Sequence, residues 1–271
     1  EDVVTSAQAA AHLLADRLPP GSPVLVVGGE GLVVALGERG LRAVSWLEDA
    51  PLAVVQGFHP DVGWRLLAEA TAAVRSGLPW LATNLDRTVP TPRGPAPGNG
   101  ALVDVVRGAT GAEPEVAGKP ELPLHREAAD RSRAQRPLVV GDRLDTDVEG
   151  AARAGTDCLL VLTGITTPRD LLAAPAGRRP TYVDRDLTGL LRPHPEVSAA
   201  AKGVCCGGWV ASIDARSSGR RAASEGRAAP KRAEILARGP EPMDGLRALC
   251  AAVWAFDAGV DAEAALVGLG L

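Results

Sequence analysis

Aromatic side chains make up only 3% of the 271 residues, so the interior must be packed mainly with Leu, Val and Ala. Cysteine is scarcer still. Cys158, the vicinal pair Cys205-Cys206 and Cys250 have neither zinc-ligand spacing nor the density of a small secreted framework. Reduced thiols in a cytoplasmic protein are the expectation. No apolar run approaches the ~18 residues that a spanning helix needs, so no membrane partner is expected. Neither sign of charge dominates: the net charge is −4, with 29 Lys and Arg against 33 Asp and Glu. That balance leaves no electrostatic footprint for nucleic acid. Hydrophobic residues at 46% and charged ones at 23% are ordinary globular values, enough for a large core in one or two domains.

Against this background one string stands out. Gly141-Asp142-Arg143-Leu144-Asp145-Thr146-Asp147 follows the apolar run Pro137-Leu138-Val139-Val140. The run reads as a buried parallel strand whose carboxyl end releases Asp142 into a crevice, the place where open α/β sheets bind ligands. A helix over about 146–154 follows, its early acids suited to the positive end of its dipole. Three carboxylates within six positions repel one another unless a positive charge sits among them. A hard divalent cation such as Mg²⁺, which takes oxygen ligands and one or two protein carboxylates, answers that need. A solvated acidic helix start is the competing reading. A second fragment lies 23 residues upstream, Gly118-Lys119-Pro120, after the short strand-like run Glu115-Val116-Ala117. A lysine between Gly and Pro is held on a restricted loop, where its ammonium can be aimed at an anion. Placed at the ends of neighbouring strands, Lys119 and Asp142 would bracket a phosphate and its metal.

These two fragments resemble motifs III and IV of the haloacid-dehalogenase-like phosphatases, in the branch containing NagD and the 4-nitrophenylphosphatase-like enzymes. Ala82-Thr83-Asn84-Leu85-Asp86, then Pro90, Gly94, Pro97-Gly98-Asn99-Gly100-Ala101 and Ala109-Thr110-Gly111, follow that branch's order and spacing, as does Val26-Val27-Gly28-Gly29-Glu30-Gly31-Leu32. The resemblance covers about residues 2–190 and points within the branch to actinobacterial glycerol-3-phosphate phosphatases. It implies Asp142 as a Mg²⁺ ligand, Lys119 as the group that binds the phosphoryl moiety and offsets charge around the nucleophile, and Asp147 as the acid that orients Lys119. It also implies two-step chemistry, in which an aspartate attacks phosphorus and water hydrolyses the aspartyl-phosphate. Asn84, Asp86 and Arg87 sit at a strand end facing the expected cleft. Arg87 is a candidate for a substrate phosphate or carboxylate, while turn bonding explains Asn84 and Asp86 equally well.

The fold class implied is α/β: a Rossmann-like core of this family, truncated at its N-terminus, with an inserted α/β cap and a small C-terminal extension. The family's Asp-x-Asp nucleophile motif and its phosphate-binding Thr/Ser motif are expected upstream of Glu1, so this chain alone is expected to be inactive. Residues 1–21 are expected to hold a residual core helix opened by a Thr5–Gln8 capping box. Residues 22–98 form the cap, 99–192 the core with the Lys and Asp motifs, and 193–271 the extension, with a mobile basic stretch near 214–240. A cap closes over the site and carries specificity. A small phosphorylated metabolite is the expected partner, and a homodimer through the cap is expected.

Other readings stay open. Asp184-Arg185-Asp186-Leu187-Thr188 matches Asp-x-Asp-x-Thr formally, against a plain turn before a helix. Gly28–Gly31 with Glu48 imitates a dinucleotide fingerprint lacking its third glycine, against a strand–turn–helix of the cap. His59, His125 and His194 have no partner at ligand spacing. The functional alternatives are a non-catalytic remnant or binding module that keeps this fold, and a nucleotide-binding oxidoreductase.

Overall fold

The computed structural model describes residues 3–214, 231–256 and 260–270. Contacts divide the chain into two compact units, Glu1–Arg136 and Pro137–Leu271. In the first, helix α1 (Ser6–Ala15) starts on the expected capping box: Gln8 N–H donates to the Thr5 hydroxyl and the Gln8 side chain takes the Thr5 N–H. Strand and helix then alternate: β1 (Pro23–Val27), α2 (Glu30–Glu38), β2 (Arg42–Val44), β3 (Ala53–Gln56), α3 (Trp64–Arg75) and β4 (Trp80–Ala82). A two-stranded ribbon, β5 (Thr88–Val89) with β6 (Ala96–Pro97), leads into α4 (Asn99–Thr110), β7 (Glu115–Val116) and α5 (Leu122–Ser132).

The main sheet is all parallel in the order β2-β1-β3-β4-β7. Alternation in β1 explains how it is covered. Val24 and Val26 pack with α1 and α2, whereas Leu25 and Val27 pack with α3 and α4. Both faces are buried, which is why the strands read as continuous apolar runs.

The second unit opens with β8 (Leu138–Gly141), a π-type turn over Leu144–Val148, α6 (Glu149–Ala154), β9 (Asp157–Val161), α7 (Pro168–Leu172) and β10 (Tyr182–Asp184). These strands form a parallel sheet in the order β10-β9-β8. A second sheet follows: β11 (Ser198–Ala200), β12 (Gly203–Cys206), β13 (Trp209–Asp214) and β14 (Lys231–Ala237) pair antiparallel, and β15 (Val260–Asp261) joins β14 in parallel. Helices α8 (Pro242–Trp254) and α9 (Glu263–Val267) complete the unit. One hydrophobic core joins Leu160 of β9 and Val183 of β10 to Trp209, Ala211 and Ala233 of the second sheet through Leu246 and Leu249 of α8.

The grouping differs from the expected division at 98, 99 and 192. Helix α4 packs on the first unit's sheet and β7 pairs with β4, while residues 193–271 share a core with β8–β10 rather than forming an appendage. The mobile basic stretch also needs correction at its end. Lys231–Ala237 is a strand, because buried Ala233 and half-buried Ile235 alternate with charged Arg232 and Glu234. Residues 215–230 of that stretch lie outside the described residues.

Candidate active site

The Asp142 carboxylate leaves the carboxyl end of β8 and is held there by the loop that follows its parallel neighbour β9. The Ile165 N–H donates to Asp142 Oδ2 at 2.9 Å. The Thr166 hydroxyl and N–H both donate to the Asp142 carbonyl, at 2.6 and 3.1 Å. Oδ1 takes no hydrogen bond from the described residues. The repulsion expected among the three acids is relieved locally. Arg143 ion-pairs with Asp145 at 2.8 Å, and its hydrogen bond holds the Asp145 carboxyl below the usual carboxylate range against an opposing effect of burial. Asp147 is buried, at 4% exposure, and accepts the Arg143 N–H at 3.2 Å. That bond closes the turn in which Val148 N–H reaches back to Arg143 O, a π-type geometry frequent at functional sites.

Asp142 suits Mg²⁺ as a single hard oxygen ligand with one oxygen left to offer, since that ion keeps several waters and uses few carboxylates. Among the described residues no three His, Cys, Asp or Glu side chains converge as a cation site.

Lys119 is exposed on the loop after β7. Gly118 lies so close to β4 that a Cβ there would sit 2.3 Å from the Thr83 carbonyl oxygen. Only glycine lets the chain pass. This contact, together with the Ala117 N–H to Ala82 O bond at 2.9 Å, brings Lys119 and Asn84 to the adjoining ends of parallel neighbours. Asn84 Oδ1 accepts the Asp86 N–H at 3.1 Å and its carbonyl accepts from Asn99 Nδ2 at 2.7 Å, which is turn bonding. Arg87 is paired with Asp104 at 2.9 Å and 77% exposed. The expectation that the Lys119 and Asp142 strands pair as neighbours is corrected. Among the described residues β7 pairs with β4 and β8 with β9, each at the edge of its own sheet. Local pattern identifies a parallel strand but not its partner.

The Asp184–Asp186 alternative falls to its surroundings. Asp184 is fully buried and ion-paired with Arg192 and with Arg247, and Asp186 caps the short 3-10 turn by accepting Thr188 N–H at 2.8 Å. Gly28 and Gly29 form the β1–α2 turn, with Gly29 as N-cap and the His59 ring packed on it. His194 accepts from Arg247 through Nδ1 and bonds the Gly189 carbonyl through Nε2. Sequence reasoning missed Gly164, Ile165 and Thr166. The available signal was positional, since their loop follows a strand parallel to β8 on the same edge of the sheet. It also missed the buried Gln56 that ends β3.

A parallel α/β unit and a carboxylate loop at a strand end narrow the class, and similarity narrows it further. The HAD-hydrolase-like family profile matches residues 116–190, which include both Lys119 and Asp142. The crystal structure of glycerol phosphate phosphatase from Mycobacterium tuberculosis in complex with magnesium superimposes with a TM-score of 0.77 at 40% identity, covering 99% of this chain and 78% of that one. The chain belongs to the haloacid-dehalogenase-like hydrolases. Within that family it is 49% identical over 226 residues to D-glycerol 3-phosphate phosphatase of Mycobacterium tuberculosis, a match spanning 79% of this chain and 64% of that protein. It is also similar to p-nitrophenyl phosphatase from Archaeoglobus fulgidus, with a TM-score of 0.62 at 33% identity over 69% of this chain and 72% of that one.

Proposed function

We propose that the protein is a Mg²⁺-dependent phosphomonoesterase acting on a small phosphate ester, with glycerol 3-phosphate as the leading substrate. The observation that carries this reading is Asp142, a carboxylate fixed at a strand end with one oxygen left to offer, in a chain similar to phosphatases. Mg²⁺ bound at Asp142 would offset the negative charge of the phosphoryl oxygens. Lys119 would bind those oxygens as a point charge, and Asp147 would set the direction of that lysine. Asn84, Asp86 and Arg87 line the substrate side, where the Asn84 turn fixes the loop and Arg87 exchanges Asp104 for an anionic substrate group. Asp184 and Asp186, ion-paired and capping respectively, would not supply the attacking carboxylate of the aspartyl-phosphate route. Self-association through the cap belongs to the same proposal, supported by the apolar groove beside the exposed Trp64 of α3.

The test is turnover of glycerol 3-phosphate and 4-nitrophenyl phosphate by the complete polypeptide, with Mg²⁺ and after chelation. Hydrolysis is expected only with the ion, and Asp142→Asn or Lys119→Ala should each lower kcat by about 100-fold or more. Unchanged rates in both variants would defeat the assignment. A fold retained without catalysis would show no turnover in the unmodified protein either.

A further inference from the structure

The loop after β9 is anchored at both ends. Its first residue follows Val161, paired in the sheet through β10. Its last precedes Thr167, the N-cap of α7, whose hydroxyl accepts the Asp170 N–H at 3.2 Å while Asp170 Oδ2 takes the Thr167 N–H at 3.0 Å. Between these anchors, three consecutive residues meet Asp142. A Cβ on Gly164 would lie 1.8 Å from Asp142 Oδ2 and 2.5 Å from Cγ. No side chain fits there with the carboxylate in place. Ile165 is 70% exposed, so what it brings to the site is its N–H, donated to Oδ2. Thr166 is 6% exposed, and both its donors fill the lone pairs of the Asp142 carbonyl.

We propose that Gly164–Ile165–Thr166 positions the Asp142 carboxylate for a divalent cation: Thr166 fixes the backbone of Asp142, Ile165 N–H locks Oδ2, and Gly164 leaves the space that this rotamer occupies. The terminal torsion of an aspartate is otherwise broad and nearly two-fold, so an unheld carboxylate loses rotational freedom on binding an ion. Partners that orient a metal ligand typically account for 10–100-fold in affinity. This rests on the reading of Asp142 as a Mg²⁺ ligand, but it assigns work to three residues that act through Asp142.

The experiment is calorimetric titration of Mg²⁺ into the complete polypeptide, with melting in chelator as the check on folding. Thr166→Val keeps the volume and removes the hydroxyl, and should weaken Mg²⁺ binding about 10-fold, with Thr166→Ser restoring it. Gly164→Ala should weaken it further, towards about 100-fold, with melting in chelator unchanged. Ile165→Ala keeps the N–H and should bind as the unmodified protein does. If Asp142→Asn abolishes binding while Thr166→Val and Gly164→Ala leave it intact, the positioning role is wrong and the ligand assignment survives. If Asp142→Asn itself binds Mg²⁺ normally, the ligand assignment fails and takes this inference with it. A loss in Ile165→Ala equal to that in Gly164→Ala would also overturn it, because the side chain and not the backbone would then be the agent.

Discussion

Arg143 shows how one residue changes the meaning of its neighbours. Three acids in six positions call for a cation, yet Arg143 neutralises Asp145 and its N–H engages Asp147, while Asp142 is held by the Ile165 N–H. The cysteines are settled at the same scale by burial. It pushes the Cys158 thiol up to about 12, with the Asp147 charge adding to it, and the Cys206 thiol up to about 11, with Asp244 adding to it. Burial raises Cys250 as well. Since the thiolate is the nucleophile, these three should resist alkylation near neutral pH until the chain unfolds; rapid labelling of the folded protein, followed by mass spectrometry, would contradict this. Their folded values lie above the ordinary 9.0. Their contribution to stability is therefore whole below about pH 9 and is lost as pH rises through the folded values.

At the scale of elements, polar contacts decide how helices meet. Glu127 of α5 is 3% exposed and gathers His12 of α1, Arg39 beyond α2 at 2.8 Å and Arg131 at 2.9 Å. Burial drives its carboxyl upward, but the bonds from His12 and Arg131 and the charge of Arg39 outweigh that and hold it below the ordinary 4.5. A depressed carboxyl gives stability that is present above about pH 4.5 and is lost as pH falls through the folded value. Glu127→Gln should therefore cost about 2 kcal/mol at neutral pH and flatten this part of the acid limb in urea titrations; an unaltered acid limb would show that the cluster holds nothing. The hairpin of β12 and β13 was legible but unread. Gly207-Gly208 takes the left-handed conformations, φ +52 and +83, that a two-residue hairpin turn requires, and such a pair between strand-like runs is a known signal. The Thr5–Gln8 box was both legible and read, because a cap depends only on residues three apart.

For the molecule as a whole, each unit carries its own hydrophobic interior, with two clusters flanking the parallel sheet of the first and one joining both sheets of the second. Residues 1–136 and 137–271 expressed separately should each unfold cooperatively in urea; a gradual, uncooperative loss of structure in either would show that its core is insufficient by itself. Among the described residues no helix is long and apolar enough to cross a membrane. Apolar alternation, strand-end glycines and local caps depend on residues within a few positions of one another. The sequence therefore determined by itself the α/β class, most elements of residues 3–190, and Lys119 and Asp142 as strand-end residues. Tertiary structure alone decided that β7 joins β4, that α8 binds the C-terminal sheet to β9 and β10, and that the Ile165 N–H, 23 residues beyond Asp142, closes on its carboxylate. Those outcomes depend on which distant surfaces bury each other, and no local window of the chain encodes that pairing.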